Sequence, residues 1–273
     1  MKKSAQLFSY SLLLAIIFMG CTSQPVSDNT LQLFNGNDLS NWDLHLGSSL
    51  GSDFDEIAAA ATVDQVYQVI EEGGEKIIRI SGEINGALAT RESYENYHLQ
   101  LVFKWGETVY SRRNSGLLYH SFGPFGASFG TWMANIELQL MHDNLGDTYL
   151  MNNTTCETAV VYNEETQQYY YTPGAEAFQF GDHASGRMVR KASDQEKPLG
   201  EWNTVDLYTV GRTAVHVVNG TTVMVNENTG TFEDGVITPL TGGKIQIQSE
   251  GAELFIRSIT LKPITEIPAS LIP

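Results

Sequence analysis

The feature that most constrains this chain is the length over which its hydrophobic residues alternate instead of recurring at helical spacing. In YHLQLVFKW, residues 97–105, Leu99, Leu101, Phe103 and Trp105 share one side. In IELQL, residues 136–140, Ile136, Leu138 and Leu140 face one way and Glu137 and Gln139 the other. VYQVIEEGGEKIIRI reads as two strands around a Gly73-Gly74 turn. Strands are expected again at 204–210, 214–218 and 222–226, with Val218-Asn219-Gly220 as a tight turn. Two more are expected at 244–248 and 253–261, on either side of Glu250-Gly251. Only DEIAAAA, residues 55–61, carries a run of strong helix formers. Roughly a dozen short strands at this spacing exclude an α/β fold and predict an all-β sandwich or barrel. Residues 162–193 are less regular and read as an insertion that forms one wall of a cleft.

The two ends stand outside this pattern. Lys2 and Lys3 precede LLLAIIFM, an apolar stretch too short to span a bilayer, and Gly20-Cys21 closes it. That arrangement resembles a bacterial lipoprotein signal. It implies cleavage after residue 20, acylation of Cys21 and a polar tether over residues 21–30 (CTSQPVSDNT), with a short C-terminal tail at 266–273. The expected location is therefore outside the cytoplasm, anchored by lipid in the periplasm, at the outer membrane or on the cell surface. Removing Lys2 and Lys3 with the signal takes the formal charge from −16 to −18. Such a field repels nucleic acid and anionic membrane surfaces, so contact with the membrane is expected through the anchor alone. With Cys21 acylated, Cys156 has no partner for a disulfide and reads as an inert thiol. No linker or shift in composition divides residues 31–265, so a single domain is expected.

Several blocks, in order, carry a family resemblance. They are LFNGNDLSNWDL, ALATRESYENYHLQLVFKW, RRNSGLLYH, WMANIELQLMHDNLGDTY, GEWNTVDLYTVGRTAVHVVNG and GGKIQIQSEGAELFIRSITLKPI. Together they resemble the 3-keto-disaccharide hydrolase domain family over nearly the whole mature chain. The resemblance implies a concanavalin A-like jelly roll acting on glycosides already oxidised to a ketone at sugar carbon 3. Because that sandwich also hosts lectins and glucanases, activity has to be argued from the site.

Glucanases of this architecture often use Glu-x-Asp-x-x-Glu on such a strand; here the reading is Glu137-x-Gln139-x-x-His142. One carboxylate is not enough for ordinary glycoside hydrolysis. It suits elimination, in which the ketone acidifies the proton on carbon 2 and one base plus one enolate-stabilising group release the aglycone. Glu137, His142 and His120 are the catalytic candidates. Arg113, Asn114, Gln139, Trp132, Asp147, Tyr149 and Gln248 are the candidates for binding sugar. Gln246, Gln248 and Glu250 share one parity against inward Ile245 and Ile247, and Arg257 is placed to pair with Glu250. No compact motif such as His-Glu-x-x-His specifies a cofactor; a divalent ion held by His120, Glu137, His142, Asp143 and Asp147 would be Ca²⁺, Mn²⁺ or Zn²⁺. Two alternatives stand. One is a conventional hydrolase with Asp143, Asp147 or Glu250 as its second carboxylate. The other is a carbohydrate-binding module stacking sugar on Trp132, Tyr149 and Tyr169 to Tyr171.

Overall fold

The computed structural model describes residues 29–273, so the signal and Cys21 lie outside the described residues. Among those described, the chain is a sandwich of antiparallel strands, as its alternation predicts. One layer holds, in order, Trp42–Leu46, Gly86–Thr90, the first part of Gly242–Pro263, Gly116–Phe122, Ala134–Gln139, Thr148–Met151 and Met188–Val189. The other holds Tyr67–Glu72, Glu75–Ile80, the second part of Gly242–Pro263, Tyr97–Asn114, Asn203–Val210, Thr213–Val218 and Thr221–Glu233. Leu99, Leu101, Phe103, Ile136, Leu138, Leu207, Ile245 and Ile247 are all buried between the layers. At about 1.5–3 kcal/mol for each large apolar side chain buried, this interior drives the fold.

The hairpin about Gly73 (φ 61°) and Gly74 (φ 85°) forms as expected, since both turn positions need the left-handed region. A helix forms at Asp55–Ala60. The two strands expected on either side of Glu250-Gly251 are instead one strand, Gly242–Pro263. Register shifts at Glu250, Gly251 and Ala252 let it bend there and pass from one layer to the other without a turn. The irregular segment also differs from expectation. It builds Gln168–Tyr171 and Ala177–Phe180 onto Thr154–Asn163, beside the sandwich, and lends the cleft only Met188. Tyr171 is buried there and Tyr169 packs on Tyr162, Phe178 and Phe180. The three tyrosines therefore do not line the cleft as a stacking platform. Cys156 is a free, buried thiol whose pKa is pushed up to about 12 by burial, which leaves it unreactive.

Candidate functional site

Alternation sends the odd residues of Ala134–Gln139 and the even residues of the crossing strand to the outer face of the first layer. The result is a cleft of about 470 Å³. Glu137 and Gln139 rise from its floor. Gln248 and Glu250 lie to one side, beside Asn114 and Arg112. Tyr149, level with Glu137 in the sheet, and Met188, next to it on the following strand, lie to the other. Trp132 closes one end, with Nε1 donating to the Gly86 carbonyl at 2.8 Å.

The electrostatics centre on two carboxyl groups. Glu137 is 2% exposed. Burial raises its pKa well above the ordinary value, and the charges of Glu250 and Asp147 add to this. Glu250 is half-buried, and its pKa is pushed up to about 7 by burial, against the opposing pull of Arg112 and a hydrogen bond from Asn114. Both carboxyl groups are thus biased toward the protonated form, Glu250 to a pKa of about 7. Asn114 Oδ1, Glu137 Oε1 and Gln248 Oε1 are buried without a hydrogen-bond partner. Buried polar atoms are rarely left unpaired, and these three all belong to side chains lining the cleft, as expected where a ligand supplies the missing partner.

Gly116 makes this arrangement possible. A Cβ there would collide with the Glu137 carboxyl group and the Gln248 amide oxygen. Its hydrogen atoms leave the space into which both side chains lean. Ser115 donates to the Gln248 carbonyl at 2.9 Å, fixing the neighbouring strand.

Of the residues expected in the site, Glu137, Gln139, Asn114, Trp132, Tyr149 and Gln248 line one cleft. The others do not join them. Arg113 has the wrong parity, and it is Arg112, in phase with Asn114, that lines the cleft. His120 lies in a bulge between Tyr119 and Phe122 with φ 51°. It is fully buried, and burial lowers its pKa to about 4. His142 follows the end of its strand, in a turn where Nδ1 meets Glu196 Oε1 at 3.1 Å. Neither histidine lines the cleft. Asp147 borders the cleft's edge but is committed to Arg190 Nη1 at 2.7 Å and the Lys191 amide at 2.8 Å. Arg257 pairs with Glu75 at 3.3 Å and lies over Trp202, not beside Glu250.

The five proposed metal ligands are not gathered in one place. Among the described residues, His142, Asp143 and Glu196 form the one group with metal-like spacing. They satisfy one another, since Glu196 also accepts from the Asp143 amide at 2.8 Å. Inside the cleft, the oxygens of Asn114, Glu137, Gln248 and Glu250 are the set that could hold a hard cation.

Residues 29–262 match the model of the 3-keto-alpha-glucoside-1,2-lyase-like domain. No curated protein matches the chain. Among solved structures, a candidate glycosyl hydrolase from Parabacteroides distasonis ATCC 8503 superposes with a TM-score of 0.50. It has 17% identity over 86% of this chain and 99% of that one. A second candidate glycosyl hydrolase from the same organism gives a TM-score of 0.48 at 19% identity, over 86% of this chain and 94% of that one. The Bacillus licheniformis β-glucanase gives 0.41 at 12% identity, over 88% and 99%. At these identities the likeness is one of fold.

Proposed function

The chain belongs to the 3-keto-alpha-glucoside-1,2-lyase-like domain family, and from that premise we propose that its cleft releases the aglycone of 3-keto-glycosides by elimination. The observation that carries this reading is the pair of raised carboxyl groups in one cleft, Glu137 and Glu250. In this scheme ionised Glu250 takes the proton from sugar carbon 2, which the neighbouring ketone acidifies. The electron pair forms the bond between carbons 1 and 2 as the bond from carbon 1 to the aglycone oxygen breaks. Neutral Glu137 gives its proton to the departing oxygen. The products are the free aglycone and an unsaturated 3-keto sugar, which water then converts to the 3-keto sugar. Asn114 and Gln248 are the groups available to hold sugar oxygens. A divalent cation, where the reaction uses one, would sit on the cleft oxygens and not on the histidines.

Glu250 gives the conventional hydrolase the second carboxylate that the strand pattern lacked, so that reading stands beside elimination. Ionisation does not separate the two readings, since a retaining hydrolase also pairs one ionised carboxylate with one protonated acid. Membership of the lyase-like family is what favours elimination. The binding-module alternative expects aromatic residues without a carboxyl group at the centre, unlike this cleft.

Matched native and 3-oxidised disaccharides test the proposal. We expect release of the aglycone from the oxidised sugar alone; equal cleavage of both would establish the conventional hydrolase. The pH profile should carry its own signature. Glu250 must be ionised, so activity rises as pH increases through about 7. Glu137 must stay protonated, so activity falls only at the higher pH where its raised pKa is reached.

The N-terminal expectation lies outside the described residues and enters here as a proposal: acylated Cys21 anchors the domain to a membrane. No helix among the described residues is long and apolar enough to cross one. Membrane fractionation tests the anchor. Cys21→Ala should move the protein to the soluble fraction, and retention in the membrane would defeat the idea.

A further inference from the structure

The cleft's polar and apolar groups are unevenly spread, and this asymmetry bears on what leaves the sugar. Its hydrogen-bonding groups gather at Asn114, Gln248 and Glu250. The opposite corner is built from Phe129, Trp132, Tyr149, Met151 and Met188. Few polar atoms line it: Asn85 Nδ2 is bonded to Ser48 Oγ and the Ser49 carbonyl, and Asn135, behind Met151, leaves only its Oδ1 without a partner. Trp132 Nε1 is bonded to the Gly86 carbonyl, and the Arg187 guanidinium beside the corner is paired with Asp182. A second sugar ring placed here would lose water from its hydroxyl groups and find little to replace it, which is unfavourable.

Phe129 shows that the corner is built. It is 56% exposed although it is purely apolar. Its φ of 48° lies in the left-handed region, where a bulky residue is an outlier. The loop holds it there. The amides of Ser128 and Trp132 donate to each other's carbonyls at 2.8 and 3.0 Å. The ring lies 6.4 Å from Trp132 at 76° and 6.4 Å from Tyr149 at 45°. The Arg187 guanidinium sits 5.5 Å from its centre. Aromatic side chains in offset or edge-to-face arrangements and thioethers at a ring edge add to the binding of an aromatic ring beyond the area it buries.

We propose that the preferred substrates of this cleft are glycosides of an aromatic alcohol or phenol, whose ring occupies the corner of Phe129, Tyr149 and Met188. The proposal deepens the elimination reading and rests on it for the placement of the sugar at Glu137 and Glu250. The leaving group's oxygen then lies between the two corners, over Glu137.

Binding of unoxidised ligands, which tests the corner without the chemistry, decides the matter. Calorimetry of the whole protein would compare a native phenyl or naphthyl glucoside with a native glucose disaccharide. The aryl glucoside should bind at least about tenfold more tightly. Phe129→Asn removes the ring while supplying a residue that tolerates the left-handed backbone. It should close most of that gap, and so should Met188→Ala, a second variant at an exposed position. Equal affinity for the two ligands in the wild type, or an unchanged gap in both variants, would overturn the proposal. Failure of the elimination reading would look different: no 3-oxidised glycoside would be cleaved, whatever the binding preference.

Discussion

Glu250→Gln should reduce kcat on every 3-oxidised glycoside by about 10³-fold, within the range that a positioned general base contributes. The substitution keeps the shape of the side chain and its place beside Asn114 and Arg112, and removes only its basicity. Glu137→Gln should behave differently. A group that donates a proton to the leaving oxygen matters most when that oxygen is strongly basic. Its loss should cost about 10²-fold or more with a sugar alcohol as leaving group, and far less with a nitrophenol. Turnover of both substrates under single-turnover conditions gives the comparison. A Glu250→Gln variant with near-normal kcat would remove the base from the scheme, and equal sensitivity of Glu137→Gln to both leaving groups would remove the acid. His142→Ala provides the contrast: its ring serves Glu196 outside the cleft, so kcat should stay within about threefold of wild type while the turn at Asp143 loosens.

The second large effect needs no change to any polar group. Gly116→Ala adds one methyl group where the Glu137 carboxyl group and the Gln248 oxygen now lean. The backbone at Gly116 is not in the left-handed region, so alanine costs nothing in conformation, and the strand gains a little from lower chain entropy in the unfolded state. The clash falls on the site. Moving a catalytic group by about 1 Å can cost on the order of 10²-fold in rate, and the same is expected here. A melting temperature within a few degrees of wild type would show that the sandwich survives. Full activity with that methyl group in place would mean that the positions of Glu137 and Gln248 do not govern the reaction.

The sequence already carried the parities that build the cleft floor. Ile136, Leu138 and Leu140 faced the core, and Glu137 and Gln139 faced away. Ile245 and Ile247 separated in the same manner from Gln246 and Gln248. The register between distant strands was not legible. Nothing local to Glu250 says that it lies opposite Asn114, because that pairing is set by the whole sheet. The histidines show where strand parity stops being a guide. His142 lies beyond the last paired residue of its strand, and His120 lies in a bulge, so counting by twos from Glu137 or Gly116 no longer gives a face. Arg112 was recoverable, since the alternation that includes Asn114 includes Arg112 and excludes Arg113. Phe129 and Met188 come from a loop and a two-residue strand, which offer no periodicity to read.

The strand Gly242–Pro263 imposes an order on how the molecule can form. It pairs with Leu31–Gln32, Glu75–Ile80, Gly86–Thr90, Tyr94–Glu95, Tyr97–Asn114 and Gly116–Phe122, all of them far earlier in the chain. Until its synthesis is complete, the strands on either side of it in both layers have no common neighbour, and their apolar faces stay open. Contacts this distant in sequence make folding slow. The inner strands of both layers, and with them the cleft floor, close only when this last long strand is in place.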